Sequence, residues 1–587
     1  MKNGETVSQT GNSYKRKKRT RVFVFLALLC LLIAAAAFGA FYFSALPKDG
    51  ESKDGKTKEE AVQQGETKVP EPVRQWQIGY LATTEQSAEY LDESGNVAGT
   101  LFRGSELQYE LFPDGTIEIF LEEKVYTLQE GASVAADAAS SVPEQTLYVR
   151  TAVNLRNGEG KLLDTLADKG AALEVKGCDY VNADGSVHAY RVILGEQEGY
   201  VPPHYLVQSP DEALANYDNG SYHVHAGRGD RYGGGDAGSL DYFPREKPAI
   251  EGNVMPAECR TLYMATWSVK NVDQYLALAA GSGINAFVVD IADSGAIGYA
   301  ADVMTQYAPT AARAAHNSVE EYKSAIEKIK AAGYYVIGRI TTFNDTYFVK
   351  DHPELAIAGT DGNPVKLSGE YWPTAFNRTV WQYKVDLAVE AVKLMGFNEI
   401  QFDYVRFPDR TGSLEKAGKI DFRNSYGETK AQAIQRFLMY ATDIIRENGA
   451  YVSADVFGES AYTYVTAYGQ YWPAISGVVD AVSGMPYPDH FAASGDWRPW
   501  EHPYETLNKW GKNVMARQGE TANPAAVRTW IQAYNAIREP YNTYGPDEIS
   551  AQIRGLKDAG CTGGFITWNA AASLEKYKRL LPAFSAS

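Results

Sequence analysis

The chain of 587 residues is predicted to be an α/β protein whose C-terminal part is a parallel (β/α)8 barrel. From Arg260 onward, eight short apolar runs alternate with amphipathic segments, which is the pattern of repeated βα units. Upstream of them, shorter runs alternate apolar and polar residues with a period of two, which predicts small all-β modules. A long uncharged stretch near the N-terminus predicts, in addition, a transmembrane helix.

The N-terminal prediction rests on residues 22–43, which are 22 residues without a charge and long enough to cross a bilayer as a helix. A basic cluster precedes them, and the positive-inside rule keeps residues 1–21 cytoplasmic and places the rest of the chain outside the cell. A cleaved signal peptide is the alternative. The run is long for a signal peptide, and no clear small-x-small cleavage site follows it.

Three segments are predicted to be soft, and one of them is the Ala/Ser-rich stretch 130–145. Residues 44–74 are rich in Lys, Glu, Gly and Asp and indicate a stalk, and residues 208–258 indicate a Gly-rich linker. His223 and His225 in the linker could bind a metal, but a polar loop is the better interpretation because no third ligand is spaced nearby. A linker of this length predicts that the barrel folds independently of the modules before it.

Residues 147–207 carry the clearest all-β pattern, in short pieces broken by Gly and Asp. The segments "VNLRNGEGKLLDTLADKGAALEV" and "YRVILGEQEGYVPPHYL" resemble the bacterial SH3 domain. The matching positions are Asn154-Leu155-Arg156, Gly170, Gly199-Tyr200-Val201 and Tyr205-Leu206. The resemblance implies either cell-wall peptide binding or a spacer role. Residues 75–130 look like a degenerate copy, because "NVAGTLFRGSELQYEL" parallels "KLLDTLADKGAALEV".

Charge and cysteine content exclude some functions. The net charge of −17 argues against nucleic acid as a partner, since a phosphate-binding surface needs a basic excess. None of the four cysteines sits in a C-x-x-C pair, so no structural zinc is predicted. A disulfide between Cys259 and Cys561 stays open, although free buried thiols are favoured. No metal and no cofactor are expected.

The barrel prediction comes from eight apolar runs, each read as a strand. They are "TLYMAT", "NAFVVDIAD", "YYVIGRIT", "NEIQFDY", "AYVSADVFG", "VVDAVSGM", "AVRTWIQAY" and "GGFITWN". Helical segments such as "NRTVWQYKVDLAVEAVKLMGF" separate them. Eight such units close into a barrel spanning residues 259–587. An open doubly wound sheet is the alternative, but no G-x-G-x-x-G follows any strand.

Polar side chains on the predicted inward faces indicate a site at the barrel mouth. Strand alternation places one or two of them on each of five neighbouring units: Asp290, Arg339, Gln401 with Asp403, Ser453 with Asp455, and Gln532. Burying this set is costly unless its members pair or contact a ligand. The pattern is therefore that of a polar-substrate site at the C-terminal ends of the strands.

Asp403, Asp455 and Glu459 are the candidate catalytic carboxylates. Asp403 and Asp455 end neighbouring strands, about 4.8 Å apart, so their carboxyl groups can approach the spacing of a retaining glycosidase. Asp403 with Glu459 could span the wider gap of an inverting pair. The alternative is structural: Asp403 pairs with Arg406 or Arg339 to form a salt bridge in the barrel.

Several motifs then resemble a bacterial family of membrane-anchored and secreted barrels that carries the name "putative glycoside hydrolase". They are "GFNEIQFDYVRFP", "HPELAI", "VSADVFG", "GMPYPDHF" and "ITWNA". The matching positions are Asp290, Arg339, Gln401, Asp403, Arg406, Asp455, Tyr487 and Trp568. The family more often has an aliphatic residue where Pro486 stands, so this chain departs from the family pattern at the end of the sixth strand. Glu459 lies outside the usual motif.

The resemblance implies a cell-surface hydrolase that cleaves a cell-envelope or environmental polysaccharide, or peptidoglycan, with two carboxyl groups. Substrate contacts are expected from Asp290, Arg339, Gln401, Arg406, Tyr487, Gln532 and Trp568, the last as a stacking platform for a sugar ring. The alternative is a carbohydrate-binding protein that has kept the cleft without turnover. A Ser-His-Asp hydrolase is not indicated, because G-x-S-x-G is absent and His is scarce. A metal-dependent deacetylase is not indicated either, because the barrel histidines are scattered.

Overall fold

The computed structural model describes residues 74–217 and 232–585. No helix in these two ranges is long and apolar enough to span a membrane. The predicted transmembrane segment at 22–43, nearly all of the predicted stalk, and His223 and His225 lie outside the described residues.

Two antiparallel β modules precede the barrel, each with seven strands. The strands of the first module are Gln77–Ala82, Ser87–Leu91, Val97–Phe102, Glu106–Leu111, Ile117–Leu121, Lys124–Leu128 and Ser133–Ala135. Those of the second are Gln145–Val149, Val153–Arg156, Leu162–Ala167, Ala172–Cys178, Tyr190–Leu194, Gln197–Val201 and Leu206–Val207.

Both modules follow one strand order, in which the third strand is followed by the second, sixth, fifth, fourth, first and seventh. The aligned segments of the sequence repeat form the third and fourth strands of each module. Gly104 and Gly170 lie in the equivalent turns with φ of 77° and 85°, a left-handed conformation that favours glycine. The structure therefore supports the internal repeat, whereas the resemblance to bacterial SH3 domains stays a prediction.

The barrel is built from parallel strands that we label β1 to β8. They are β1 (Cys259–Met264), β2 (Ala286–Asp293), β3 (Tyr335–Thr341), β4 (Glu399–Asp403), β5 (Tyr451–Phe457), β6 (Ala481–Met485), β7 (Ala526–Val527 and Thr529–Gln532) and β8 (Gly564–Trp568). All eight apolar runs of the sequence thus form strands. The strand β7 is interrupted at Arg528, and its first piece pairs with β6 while its second piece pairs with β8. The sheet is thereby nearly closed, as expected of a (β/α)8 barrel and not of an open sheet.

A helix follows each strand and packs outside the barrel. These helices are α1 (Val272–Ala279), α2 (Val319–Ala331), α3 (Arg378–Met395), α4 (Lys430–Glu447), α5 (Trp472–Ser476), α6 (Pro503–Gly519), α7 (Pro546–Asp558) and α8 (Leu574–Ser585). The boundaries of α3 follow from its sequence. The Asn377 side chain accepts hydrogen bonds from the first free amides of the helix, and Gly396 ends it at φ 75°. Trp381 of α3 is buried, as predicted for a core residue.

Strand alternation decides which residues face the helices and which face the barrel interior. On β2, Phe287, Val289 and Ile291 are fully buried and contribute to the core, as predicted for the outward face. The intervening Asp290 is level with Arg339 on β3, and Arg339 is level with Gln401 on β4. One layer of the barrel interior is therefore lined by polar side chains.

The second module is docked on the helices of the barrel. Asp443 of α4 accepts hydrogen bonds from Arg156 Nη2 at 2.6 Å and from the Tyr205 hydroxyl at 2.9 Å, both of which belong to the second module. Arg245, from the segment between the module and the barrel, also donates to Asp443. The Asp443 side chain is 4% exposed, so the module and the barrel share a buried ionic contact.

Further contacts extend this interface. Arg378 at the start of α3 donates to Asn154 of the second module at 2.8 Å. The described part of the predicted linker is packed as well, since Leu240 and Tyr242 belong to a buried cluster with Val465 of the barrel. These contacts show that the second module is docked on the barrel, whereas independent folding of the barrel stays a prediction.

The three cysteines in the described residues, Cys178, Cys259 and Cys561, are buried and free. The disulfide between Cys259 and Cys561 that the sequence left open is therefore not formed. Burial raises the pKa of the Cys561 thiol to about 12, which makes it a poor nucleophile.

Candidate active site

One guanidinium group organises the polar interior of the barrel. Arg339 on β3 donates to Asp290 Oδ1 at 2.7 Å through Nη1, and to Asp403 Oδ2 through both Nε (at 3.2 Å) and Nη2. Its Nε also lies 3.7 Å from Asp455 Oδ2. The sequence predicted this convergence, because the four residues come from the adjacent strands β2, β3, β4 and β5.

Two carboxyl groups of this cluster, those of Asp290 and Asp455, have raised pKa values. Burial raises the pKa of Asp290 to about 6, although Arg339 counteracts the shift. Burial and the neighbouring charge of Asp403 raise the pKa of Asp455 well above its ordinary value. Within residues 74–217 and 232–585, Asp455 Oδ2 has no hydrogen-bond partner, whereas Oδ1 accepts a hydrogen bond from the Trp530 indole at 2.7 Å. Asp455 therefore holds its proton at a pH where an ordinary aspartate is charged.

Asp403 is held in place by its own backbone as well as by Arg339. The Tyr404 amide donates to Asp403 Oδ1, and Tyr404 has a φ of 49°. A left-handed conformation is rare for a residue with a bulky side chain, and such outliers persist where the surrounding structure imposes them, often at functional sites. Of the two arginines that the sequence offered as partners for Asp403, the structure selects Arg339.

Aromatic side chains form one wall of the cluster. The Trp568 ring is half-buried, lies 5.7 Å from the Arg339 guanidinium carbon and packs against Tyr263 and Trp530. The Tyr263 hydroxyl donates to Asp290 Oδ2. The sequence predicted Trp568 but missed Tyr263 and Trp530, although Trp530 shares the inward face of β7 with Gln532 and could have been found by the same alternation.

Asp290 is predicted by the sequence to contact substrate, but it is almost fully buried, at 1% exposure. Both of its oxygens are engaged, Oδ1 by Arg339 and Oδ2 by Tyr263. Its geometry is that of a residue that orients Arg339.

Glu459 and Arg406 form a separate group on the loops after β5 and β4. Glu459 is half-buried and accepts hydrogen bonds from the Tyr464 and Tyr468 hydroxyls, each at 2.9 Å. The Arg406 guanidinium lies over the rings of Phe457 (4.3 Å) and Tyr468 (5.8 Å). The structure thus places both residues at the C-terminal end of the barrel, with hydrogen bonds that do not reach the Arg339 cluster.

The remaining predicted contacts have different surroundings. Gln401 donates to the Ser483 hydroxyl at 3.1 Å, while its carbonyl oxygen has no partner in the described part of the chain. Gln532 is fully buried, and its side chain bonds the Asp489 amide and the Tyr534 carbonyl, which leaves it supporting loops. Tyr487 is buried, and burial together with nearby acidic groups raises the pKa of its phenol well above the ordinary value.

A second charged layer lies deeper in the barrel. Glu399, four residues before Asp403 on the same face of β4, pairs with Arg528 at 2.6 Å, and both side chains are fully buried. The Tyr335 hydroxyl also donates to Glu399. This pair has one carboxylate for one guanidinium, in contrast to the upper cluster.

The upper cluster can support acid–base chemistry without a metal ligand set. Among residues 74–217 and 232–585, no group of three His, Cys, Asp or Glu side chains could hold a metal ion. General acid catalysis coupled to nucleophilic attack needs a charged carboxylate next to a protonated carboxyl group. Asp403 and Asp455 have the positions that such a pair requires.

Comparison with known proteins gives a family and several structural relatives. A family model described as "Putative glycosyl hydrolase domain" matches residues 261–574, more than half of the chain. A hypothetical protein from Ruminiclostridium thermocellum ATCC 27405 is 31% identical over 33% of this chain and 97% of its own, with a TM-score of 0.28. The C-terminal domain of a "putative chitinase" from Desulfitobacterium hafniense DCB-2 is 11% identical, with coverages of 56% and 99% and a TM-score of 0.37. A mutant β-hexosaminidase from Streptomyces plicatus, in complex with GlcNAc, is 11% identical, with coverages of 57% and 64% and a TM-score of 0.37. No curated protein matches the chain.

Proposed function

We propose that this chain, which belongs to the family described as "Putative glycosyl hydrolase domain", cleaves a cell-envelope or environmental polysaccharide with Asp403 and Asp455 as its two carboxyl groups. Family membership supports glycoside hydrolysis as the reaction class. The observation that carries the proposal is the sharing of one buried guanidinium, Arg339, by three buried carboxyl groups, with the partly exposed Asp293 carboxyl 3.8 Å away as a fourth.

The cluster has more carboxyl groups than guanidinium groups, and this excess distinguishes it from a structural salt bridge. A buried ion pair is stable when the charges match, as they do for Glu399 and Arg528. Three buried carboxylates around one cation would leave buried negative charge uncompensated, and burial together with the neighbouring Asp403 charge raises the pKa of Asp455, which favours its protonated form. The cluster therefore retains a proton beside a charged group, an arrangement that stability alone does not require.

The roles follow from the hydrogen bonds. Asp403 receives two bonds from Arg339 and one from the Tyr404 amide, which suits a carboxylate that must stay charged as nucleophile or base. Asp455 keeps its proton and donates it to the glycosidic oxygen as the bond breaks. In a retaining reaction, Asp455 would then accept a proton from the water that attacks the glycosyl–Asp403 intermediate.

The spacing fits such a pair. The nearest oxygens of Asp403 and Asp455 lie 3.2 Å and 3.7 Å from the same Arg339 nitrogen. They are therefore no more than about 7 Å apart, a range that includes the roughly 5–5.5 Å separation of retaining enzymes. Asp403 with Glu459 remains the proposal for an inverting mechanism, which needs the wider gap of about 6.5–9.5 Å.

The test compares Asp403→Asn and Asp455→Asn with a matched control, Glu399→Gln, on purified chain. Both catalytic variants should keep the fold and lose turnover of the substrate glycan by orders of magnitude, because each removes a reacting group. Glu399→Gln breaks a buried ion pair on the same strand face and should lower the free energy of unfolding by about 3–5 kcal/mol, while the folded fraction remains active. Full activity in a folded Asp403→Asn or Asp455→Asn variant would falsify the assigned role.

A carbohydrate-binding protein without turnover is the second candidate. The observations that favour it are the direct ion pair between Asp403 and Arg339 and the limited exposure of both side chains, at 8% and 2%. Wild-type protein that binds a wall or plant glycan and releases no sugar from it would support this function over hydrolysis.

We also propose a cell-surface location, with the N-terminus cytoplasmic and residues 22–43 as the single membrane anchor. The uncharged run and the basic cluster before it support this topology. Protease added to intact cells should release a fragment that begins after residue 43. A chain that resists protease on cells with an accessible surface would contradict the topology.

A further inference from the structure

The motif "GMPYPDHF" after β6 contains a histidine to which the mechanism above gives no role. His490 lies in a short 3-10 helix, Pro488–His490, directly after the C-terminal end of β6. Its side chain is 56% exposed, and its nearest charged neighbour, Asp489 Oδ1, lies 3.8 Å from Nε2, beyond hydrogen-bond distance. The imidazole makes no side-chain hydrogen bond within the described part of the chain, so its nitrogens are available to a ligand.

The position of His490 is fixed by its neighbours. Asp489 is fully buried and accepts hydrogen bonds from the Tyr534 hydroxyl (2.9 Å) and the Ile537 amide (3.1 Å), both on the loop after β7. The Asp489 amide in turn donates to Gln532 at 3.2 Å. The strand β7 and the loop after it thus hold the backbone that carries His490, while the imidazole makes no hydrogen bond within the described residues.

Tyr487 connects this imidazole to the carboxyl cluster. Its ring meets the His490 ring edge-to-face, with centroids 5.1 Å apart and an interplanar angle of 88°. Tyr487 is itself buried and comes two residues after the end of β6, which pairs with β5, the strand that carries Asp455. His490 is therefore one aromatic ring away from the reacting groups, at the exposed edge of the site.

We propose that His490 is a substrate-binding residue, whose neutral imidazole hydrogen-bonds a hydroxyl group of the sugar bound beside Asp403 and Asp455. This inference rests on the proposed function and adds to it a polar contact on the β6 side of the site. Sugar hydroxyls both donate and accept, and a neutral imidazole offers one donor and one acceptor.

The surroundings of His490 favour the neutral form of its imidazole at physiological pH, chiefly through burial. Burial of part of the ring lowers the pKa of His490; the Arg538 charge acts in the same direction, and the Asp489 charge opposes it. The other titratable groups beside it are the Tyr487 and Tyr534 phenols, whose pKa values burial raises, so that both are neutral. His490 can therefore accept a hydrogen bond at neutral pH without first losing a proton.

The first experiment measures the reactivity of His490 with diethyl pyrocarbonate by peptide mass spectrometry of the full chain. The probes are soluble β-linked tetrasaccharides of glucose and of N-acetylglucosamine, and peptidoglycan fragments released by a muramidase. A probe that binds should slow the modification of His490 several-fold. The modification of His352, whose Nε2 is hydrogen-bonded to the Tyr307 carbonyl, should not change. Binding of a probe without protection of His490 would overturn the inference.

The second experiment compares His490→Gln and His490→Ala with His502→Gln, a nearby histidine that stacks on Trp497. Loss of one hydrogen bond should weaken probe binding or kcat/KM about 5–10-fold in the alanine variant, with a smaller loss in the glutamine variant and none in the control. Unchanged affinity in His490→Ala, or a loss that follows its melting temperature, would overturn the inference. Binding with protection but no turnover would reject hydrolysis and retain the His490 contact, whereas binding of no probe would reject both.

Discussion

Replacing Asp290 with asparagine is expected to raise the stability of the folded chain near neutral pH. Asp290 is 1% exposed, and its pKa is raised from 3.8 to about 6. A carboxyl group with a raised pKa contributes stability that is fully present below pH 3.8 and is lost as the pH rises through about 6. With about 1.4 kcal/mol for each pKa unit, the ionised group costs roughly 3 kcal/mol at pH 7.

Asparagine removes this cost because it never ionises. Its carbonyl oxygen can accept from Arg339 in place of Asp290 Oδ1, and its amide can donate to the Tyr263 hydroxyl. The variant should therefore be more stable than the wild type at pH 7.5, and the difference should shrink towards zero near pH 4. Taking the difference between the two proteins cancels the contribution of Asp455, whose raised pKa acts in both.

The assay is thermal melting of both proteins at several pH values between 4 and 7.5, with Asp273→Asn as the control. Asp273 is 75% exposed and pairs with Lys328 on the surface, so its loss should change stability by at most about 1 kcal/mol at any pH. An Asp290→Asn variant that is less stable than the wild type by a constant amount across this range would refute the reasoning. Asp290 would then be an ionised partner of Arg339.

Three further outcomes are expected. Asp443→Asn should lower the free energy of unfolding of the full chain by about 3–5 kcal/mol, because Arg156 and Arg245 lose their buried anion; a change below about 1 kcal/mol in chemical denaturation would contradict this. Trp568→Ala should raise the KM or Kd for the substrate glycan about tenfold, and Trp568→Phe should have a smaller effect because it keeps an aromatic ring. Equal ligand affinity of the wild type and both variants in titrations would exclude stacking. A fragment starting near Val254 should melt at a lower temperature than the full chain, because it lacks the module that covers α4; calorimetry showing equal melting temperatures for the barrel would contradict the docked interface.

The sequence predicted the strands and the inward-facing residues because a period of two is a local property. Glu399, Gln401 and Asp403 alternate along β4, and all three side chains point into the barrel. Neighbouring strands also brought Asp403 and Asp455 together, as the βα repeat implied. The choice of partners could not be predicted, because the long Arg339 side chain reaches across strands and its rotamer depends on every group around it.

The periodicity of the sequence could not predict the contacts of the loop residues or the interface between the second module and the barrel. Glu459 follows the end of β5, where alternation no longer fixes direction, and it bonds two tyrosines of its own loop. Asp443 lies on an amphipathic helix, where a charged residue normally indicates solvent. Its partner Arg156 is 287 residues away in the chain, so the contact is determined only by the tertiary fold.

The docked interface also limits what the second module can recognise. The positions that carry its resemblance to bacterial SH3 domains include Asn154, Arg156 and Tyr205, and all three give polar atoms to α3 or α4. The polar atoms of these three residues are therefore not available to a cell-wall peptide while the module is docked. Transplanting the module onto another protein would require the matching acceptor surface, with Asp443 and Arg378 in place, as well as the module itself.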